Sequence, residues 1–72
     1  MKAQYLPTTR AGKLIHVTEE CAEVIREIAK IGRFGIDNVN PDSDKKETNR
    51  QALLREMHDL KFAISRLEKA LL

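Results

Sequence analysis

Two pairs of acidic residues have a spacing that places both carboxylates of each pair on one face of a helix. Glu20 and Glu23 are three residues apart, and Glu56 and Asp59 repeat that spacing later in the chain. The spacing alone is weak evidence, because eleven acidic residues among 72 give roughly one and a half such pairs by chance and the chain has three. The position of each pair on its helix must therefore indicate what chemistry it can do.

The segments that carry the two pairs have the periodicity of amphipathic helices. Apolar residues recur at intervals of three and four in both segments, as they do along one face of an α-helix. The first set is Leu14, Val17, Cys21, Val24, Ile28 and Ile31, and the second is Leu53, Met57, Leu60, Ile64, Leu67 and Leu71. We expect helices over about 12–32 and 49–71, joined by a surface loop over about 35–47.

Residues with known end preferences mark both helices. The first helix is expected to start between Thr9 and Lys13 and to end where Gly32 and Gly35 bracket Arg33 and Phe34, since threonine caps helix starts and glycine follows helix ends. Thr48 or Asn49 is expected to cap the second helix. The connection between the helices contains Asn-Pro and clustered Asp and Ser, which are typical of turns.

The length and the single apolar stripe on each helix predict an all-α domain that needs a partner. A 72-residue chain hides only about 60% of its unfolded surface on folding, so a lone hairpin is marginally stable. We expect one domain over 1–72, an antiparallel helical hairpin that pairs with other subunits into a four-helix-bundle-like homo-oligomer. Phe62 and Leu54 lie away from the main stripe and are either subunit contacts or isolated exposed apolar residues.

Composition narrows the classes of partner and the compartment. Thirteen basic and eleven acidic residues are interspersed and give a net charge of +2, so no nucleic-acid partner is expected. No apolar run approaches the roughly 20 residues that cross a bilayer, and the start lacks a secretory signal. The single cysteine, Cys21, falls in the apolar stripe and is expected to be a small core residue. These features favour a cytoplasmic protein with no membrane partner.

Both acidic pairs border the apolar stripes, so a folded hairpin can bring four carboxylates together. Their repulsion and partial desolvation are costly without a counter-charge. Oxygen ligands with no His/Cys pattern favour Mg²⁺, with Mn²⁺ as the alternative, and Mg²⁺ commonly completes its shell with waters and phosphates. In the other reading, the pairs are solvated acidic edges that contact basic neighbours such as Arg26 and Lys30.

Several segments that follow one another in order resemble a known family. The segments are Thr18–Ile25, Lys30–Gly35, Asn40–Pro41, Thr48–Asn49 and Glu56–Leu60. Together they are similar to the MazG-like all-α nucleotide pyrophosphohydrolases, especially the short phage-type members, whose signature is E-E-x-x-E followed by E-x-x-D. The resemblance covers about residues 14–68.

The resemblance implies a Mg²⁺-dependent enzyme that cleaves a nucleoside triphosphate between its α and β phosphorus atoms and releases the monophosphate and pyrophosphate. The positions that match the family's metal ligands are Glu20, Glu23, Glu56 and Asp59. Glu19, or a ligating carboxylate such as Glu20, would accept the proton of the attacking water. Family members assemble as dimers or tetramers.

Other residues have both a functional and a structural reading. Lys30 and Arg33 either contact phosphate or simply favour the C-terminal end of the helix dipole, and Asn49 contacts substrate or caps its helix. His16, one turn before the first pair, contacts the metal shell or pairs with a carboxylate. His58 replaces the glycine that is usual in the family, which keeps a non-catalytic nucleotide-binding relative open. A helical-hairpin interaction module is the alternative from another class.

Overall fold

In a computed structural model, which describes residues 6–39 and 46–72, two α-helices pack against each other as an antiparallel hairpin. Helix α1 spans Arg10–Phe34 and helix α2 spans Asn49–Leu71. The predicted all-helical hairpin is confirmed. Helix α1 extends two residues beyond the expected range at each end, and α2 has the expected bounds. Asn40–Pro41, part of the resemblance, lies outside the described residues.

The first turn of α1 is closed by a threonine cap and a glycine. The hydroxyl of Thr9 accepts a hydrogen bond from the backbone N–H of Gly12 at 3.0 Å, which satisfies one of the N–H groups that a helix start leaves free. A Cβ at position 12 would lie 2.8 Å from the Cβ of Pro7. Glycine therefore allows Pro7 to pack against this turn. Helix α1 starts at Arg10, inside the expected window from Thr9 to Lys13.

The end of α1 leads directly into the connection to α2. Gly35 adopts a φ of +89°, a conformation that favours glycine, and its N–H donates to the carbonyl of Ile31 at 2.9 Å. The side chain of Asn38 donates to the carbonyl of Phe34. These bonds satisfy carbonyl groups that would otherwise lack partners at the helix end.

The start of α2 is fixed by a reciprocal capping box. The Thr48 hydroxyl accepts from the N–H of Gln51 at 3.1 Å, and the Gln51 side chain accepts from the N–H of Thr48 at 2.8 Å. Thr48, rather than Asn49, is therefore the cap. Both alternatives were compatible with the sequence because each residue type favours this position.

The connection also satisfies the first turn of α2 and ties the two helix ends together. The N–H groups of Asn49 and Arg50 donate to the carbonyls of Asn38 and Ile36 at 2.9 and 2.7 Å. The side chain of Asn49, a residue that is 1% exposed, donates to the carbonyl of Gly35 at 2.8 Å. This closed end sets the register of the hairpin and thereby decides which residues of α1 and α2 meet.

Most of the residues that the hairpin buries completely are polar or charged. Among the described residues, the buried hydrophobic ones are Ala52 and Ala63. The buried polar and charged residues are His16, Glu20, Glu27, Asn49 and Glu56. Several large apolar residues are half-buried, namely Val17, Val24, Ile31, Leu53, Leu60 and Leu67. The hairpin therefore buries acidic residues more completely than its large apolar residues.

The most buried stripe of each helix lies one residue before the predicted apolar stripe. Ala52, Glu56 and Ala63 are buried, whereas Met57, expected in the core, is 37% exposed. Leu14 and Ile28 of the first predicted stripe are also exposed. The large exposed apolar residues include Leu14, Ile15, Ile25, Ile28, Leu54, Met57, Phe62, Ile64 and Leu71. Each helix has a single neighbour, which leaves much of its apolar face uncovered.

Candidate metal centre

Three carboxylates from the two helices meet in the middle of the hairpin. Glu20 of α1 and Glu56 and Asp59 of α2 each place one oxygen so that all three oxygens lie within 4.8 Å of one another. Glu20 and Glu56 are buried, and Asp59 is half-buried. Exposed acidic groups often lie close together without a ligand, but two of these three are largely withdrawn from water.

Helical geometry explains how the three side chains converge. Glu56 and Asp59 are three residues apart and therefore project from the same face of α2. That face begins with Asn49, which is hydrogen-bonded to the end of α1, and continues with Ala52. Because α2 runs back along α1 from this closed end, Glu56 and Asp59 reach the level of Glu20.

The charge environment favours a proton or a cation at Glu20. Burial raises the pKa of Glu20, and the neighbouring carboxylates of Asp59 and Glu56 raise it further. His16 opposes this shift, because its Nε2 lies 3.4 Å from Oε1 of Glu20. The folded chain therefore pays an electrostatic cost at this cluster that a divalent cation would relieve.

Arg55 supplies a positive charge on the other side of the cluster. Its Nη1 donates to Oε1 of Glu56 at 2.7 Å, and its Nη2 donates to Oε1 of Glu47 at 2.8 Å. The hydrogen bonds with Glu47, together with the charges of Glu47 and Glu56, raise the pKa of the Arg55 guanidinium above its ordinary value. Arg55 thereby links the residue that precedes the α2 cap to a carboxylate of the cluster.

Two of the predicted carboxylates lie outside this group. Glu23 has a 44% exposed side chain, and its Oε2 lies 3.9 Å from Nη1 of Arg26. Glu19 is exposed on α1, one residue before Glu20. The hairpin thus brings together three of the four predicted metal ligands. The roles of Glu23 as a ligand and of Glu19 as a proton acceptor stay predictions.

Each of the three predicted substrate contacts has a contact within the protein. The Nζ of Lys30 lies 3.2 Å from Oε1 of Glu27, and the guanidinium of Arg33 lies 5.2 Å from the centre of the Phe34 ring. Asn49 is buried and bonded to a backbone carbonyl, so its observed contact is structural. All three lie near the closed end of the hairpin, and their role as substrate contacts stays a prediction.

Two polar residues were not singled out from the sequence, Glu27 and Arg55, and of these Arg55 contacts the cluster through Glu56. Glu27 is buried, and its Oε2 has no hydrogen-bond partner among the described residues. Its distance of seven residues from Glu20 was a usable signal, because residues seven apart share a helix face. The contact of Arg55 with Glu47 had no such signal, because Glu47 precedes the helix.

The donor set fits a hard divalent cation. Carboxylate oxygens are the ligands that Mg²⁺ and Mn²⁺ prefer, and Mg²⁺ retains waters where a protein offers few ligands. His16, 4% exposed, directs one ring nitrogen at Glu20, while its buried Nδ1 has no partner within the described part of the chain. Glu20, Glu56 and Asp59 are therefore the residues that would hold the ion.

Comparisons with family models, with curated proteins and with solved structures found no match for this chain. Within the described ranges, neither helix is both long and apolar enough to cross a membrane. The residues themselves, their geometry and the sequence motifs that contain them are therefore what indicates a function for this chain.

Proposed function

We propose that the protein is a Mg²⁺-dependent nucleoside triphosphate pyrophosphohydrolase of the MazG-like type. The observation that supports this best is the meeting of Glu20, Glu56 and Asp59 within 4.8 Å across the two helices. These residues are three of the four carboxylates that the two sequence motifs assign to the metal. A buried cluster of like charges is costly, and a cation that binds there recovers that cost.

The proposed reaction adds water to the α–β phosphoanhydride of a nucleoside triphosphate and forms the monophosphate and pyrophosphate. Bound Mg²⁺, or Mn²⁺, would neutralise phosphate charge and lower the pKa of a coordinated water. Glu20, Glu56 and Asp59 would hold the ion, with Glu23 as the fourth ligand implied by the resemblance. Glu19 or Glu20 would accept the proton from water.

The cations at the C-terminal end of α1 have a supporting part in this proposal. Lys30 and Arg33 carry positive charge toward the end of the helix that leads into the connection. We assign them to the phosphates of the substrate. Asn49 donates a hydrogen bond to the carbonyl of Gly35. It would then affect substrate binding by holding the closed end of the hairpin in place. A cytoplasmic location agrees with a nucleotide substrate and a single free cysteine.

The placement of the apolar residues supports a homo-oligomer, either a dimer or a tetramer. One residue along an α-helix corresponds to a turn of about 100°. On each helix the apolar stripe lies one residue after the buried stripe, and so it is rotated by this angle away from the helix contact. Because the two helices run in opposite directions, the two rotations bring both apolar stripes to the same side of the hairpin. That side carries Ile28 of α1 and Met57 of α2, both exposed in the single chain. A second hairpin of the same sequence would cover this face and complete a four-helix bundle.

The same exposed apolar face supports a second candidate function. A helical-hairpin interaction module would use this face to bind a helix of another protein, and its carboxylates would only keep the surface soluble. A nucleotide-binding relative without catalysis is the intermediate case, in which His58, exposed on α2, replaces the family's glycine. Metal-dependent stability and turnover together separate these functions.

Replacement of one cluster carboxylate tests the proposed function. Glu56→Gln keeps the size of the side chain and removes its charge. We expect it to reduce metal-dependent pyrophosphate release at least as much as the loss of an outer-shell partner of a metal ligand, which costs about 10–100-fold. Glu68→Gln is the matched control, since Glu68 is exposed on the same helix. Circular dichroism establishes that both variants remain helical. Equal turnover by the two variants would contradict the assignment of the site.

A further inference from the structure

Arg55 contacts two carboxylates, one in the cluster and one just before α2. Its Nη1 is 2.7 Å from Oε1 of Glu56, inside the cluster, and its Nη2 is 2.8 Å from Oε1 of Glu47, just before α2. The Nε of Arg55 also donates to Oε2 of Glu47 at 3.5 Å. A guanidinium held on both sides by carboxylates has little freedom to rotate, so its charge is fixed beside Glu56.

Among the described residues, few basic groups contact the carboxylate cluster. Across residues 6–39 and 46–72, the basic groups that contact the three carboxylates are His16, against Glu20, and Arg55, against Glu56. His16 carries charge only when it is protonated. Arg55 is therefore the permanent positive charge in contact with the cluster in this part of the chain.

A second observation concerns the buried histidine that contacts the cluster. His16 is 4% exposed, with Nε2 directed at Glu20, and its buried Nδ1 has no partner within the described ranges. Buried polar atoms in folded proteins are nearly always hydrogen-bonded, so an unpartnered atom beside the cluster is consistent with a hydrated ion there.

We propose that Arg55 is a positioning residue that serves as the built-in counter-cation of the metal centre. Without metal, Arg55 holds Glu56 in place and offsets part of the repulsion among Glu20, Glu56 and Asp59. The same positive charge lowers the affinity of the cluster for a divalent cation. This inference rests on the proposed function, because the cation concerned is the one assigned to the catalytic site.

Arg55 raises the stability of the metal-free protein and lowers the affinity of the cluster for Mg²⁺. Removal of the guanidinium leaves Glu56 without its counter-charge, which lowers the stability of the metal-free protein. Removal also takes a positive charge away from the metal centre, which increases the affinity for Mg²⁺. A residue with only a structural role would lower stability in both conditions and leave the Mg²⁺ dependence unchanged.

Thermal unfolding at fixed protein concentration, in EDTA and in rising MgCl₂, separates these possibilities. For Arg55→Gln we expect a lower Tm in EDTA than for the wild type, and half-saturation at an Mg²⁺ concentration about fivefold lower. Arg50→Gln is the matched control, because Arg50 on the same helix pairs with Asp37 outside the cluster. It should leave the half-saturating Mg²⁺ concentration at the wild-type value. Arg55→Lys keeps the charge and should restore that value.

The outcomes distinguish this inference from the proposed function. If the wild type responds to Mg²⁺ and releases pyrophosphate while Arg55→Gln has an unchanged or higher half-saturating concentration, the role of Arg55 is wrong and the function stands. If the wild type shows no Mg²⁺ response, the metal centre and the role of Arg55 are both wrong. If Arg55→Gln is unfolded in EDTA, Mg²⁺ should restore its helical circular dichroism, and no recovery would overturn the inference.

Discussion

Glu20 of α1 and Glu56 of α2 bring their carboxylates together across the helix contact, with Asp59 completing a group whose oxygens lie within 4.8 Å of one another. Both glutamates are buried, and the pKa of Glu20 is raised, chiefly by burial and then by the two neighbouring acids. The hairpin thus places like charges where large apolar residues would stabilise it more. This arrangement is consistent with a site that is maintained for binding rather than for folding.

Magnesium should stabilise the folded wild-type protein. An ion that binds only the folded state adds about 2.7 kcal/mol to the free energy of unfolding when its concentration is 100 times Kd. The measurement is Tm at constant protein concentration in MgCl₂ and in NaCl of equal ionic strength, since NaCl reports general screening of charge. The same Tm in the two salts would argue for the interaction module.

Replacement of Glu20 by Gln should stabilise the metal-free protein at neutral pH. The pKa of Glu20 is higher in the folded state than its ordinary value of 4.5, so the folded state binds this proton more tightly. Its contribution to stability is complete below about pH 4.5 and is lost as the pH rises through the folded pKa. The difference in stability between Glu20→Gln and the wild type should therefore grow in favour of the variant between about pH 4 and pH 7.

Urea unfolding in EDTA at several pH values measures this difference. Glu68→Gln serves again as the exposed control and should give no comparable trend. A Glu20→Gln variant that is less stable than the wild type at pH 7 would contradict the electrostatic account of the cluster.

Replacement of Asn49 by Ala tests the closed end of the hairpin. The variant loses the 2.8 Å hydrogen bond to the carbonyl of Gly35 at a site that is almost fully buried. We expect the free energy of unfolding to fall by about 0.5–1.5 kcal/mol, the net contribution of a typical intramolecular hydrogen bond, because Gly35 is exposed and water can reach its carbonyl. Asn38→Ala, at an exposed position of the same connection, should cost less. An unchanged stability together with a raised KM would instead indicate a direct substrate contact.

A charge on the apolar face should disrupt the proposed oligomer. Ile28→Glu places a carboxylate where a second hairpin would pack, and the desolvation of that charge opposes association. Light scattering coupled to size-exclusion chromatography should then give a smaller mass for this variant than for the wild type. Ala29→Glu adds the same charge at the neighbouring exposed position and should keep the wild-type mass. Equal masses for all three proteins would contradict the role of this face.

The sequence predicted the two helices well but misplaced their contact by one residue. The interval of three and four correctly groups residues that share a face, as with Leu53 and Met57. The periodicity does not say which neighbour covers that face. In the hairpin, Ala52 and Glu56 lie at the contact, since small residues and the closed end near Asn49 set the register. Several of the large apolar residues, such as Ile28 and Met57, are exposed in the single chain.

The site was predictable to the extent that it depends on helical spacing. Glu56 and Asp59 share a face, and their position at the edge of the stripe predicted that they would meet Glu20. Glu23 projects further around α1 and pairs with Arg26 instead. The bridge from Arg55 to Glu47 was not predictable, because it depends on how the connection returns to α2 and has no periodic signal.

The most direct test of the proposed function is pyrophosphate release from a panel of canonical and modified ribo- and deoxyribonucleoside triphosphates, each assayed with Mg²⁺ and with EDTA. We predict that at least one nucleotide gives equal amounts of monophosphate and pyrophosphate with Mg²⁺ and none with EDTA. Products that include orthophosphate in place of pyrophosphate would contradict cleavage between the α and β phosphorus atoms. The absence of pyrophosphate from every nucleotide in the presence of Mg²⁺ would contradict the enzymatic function.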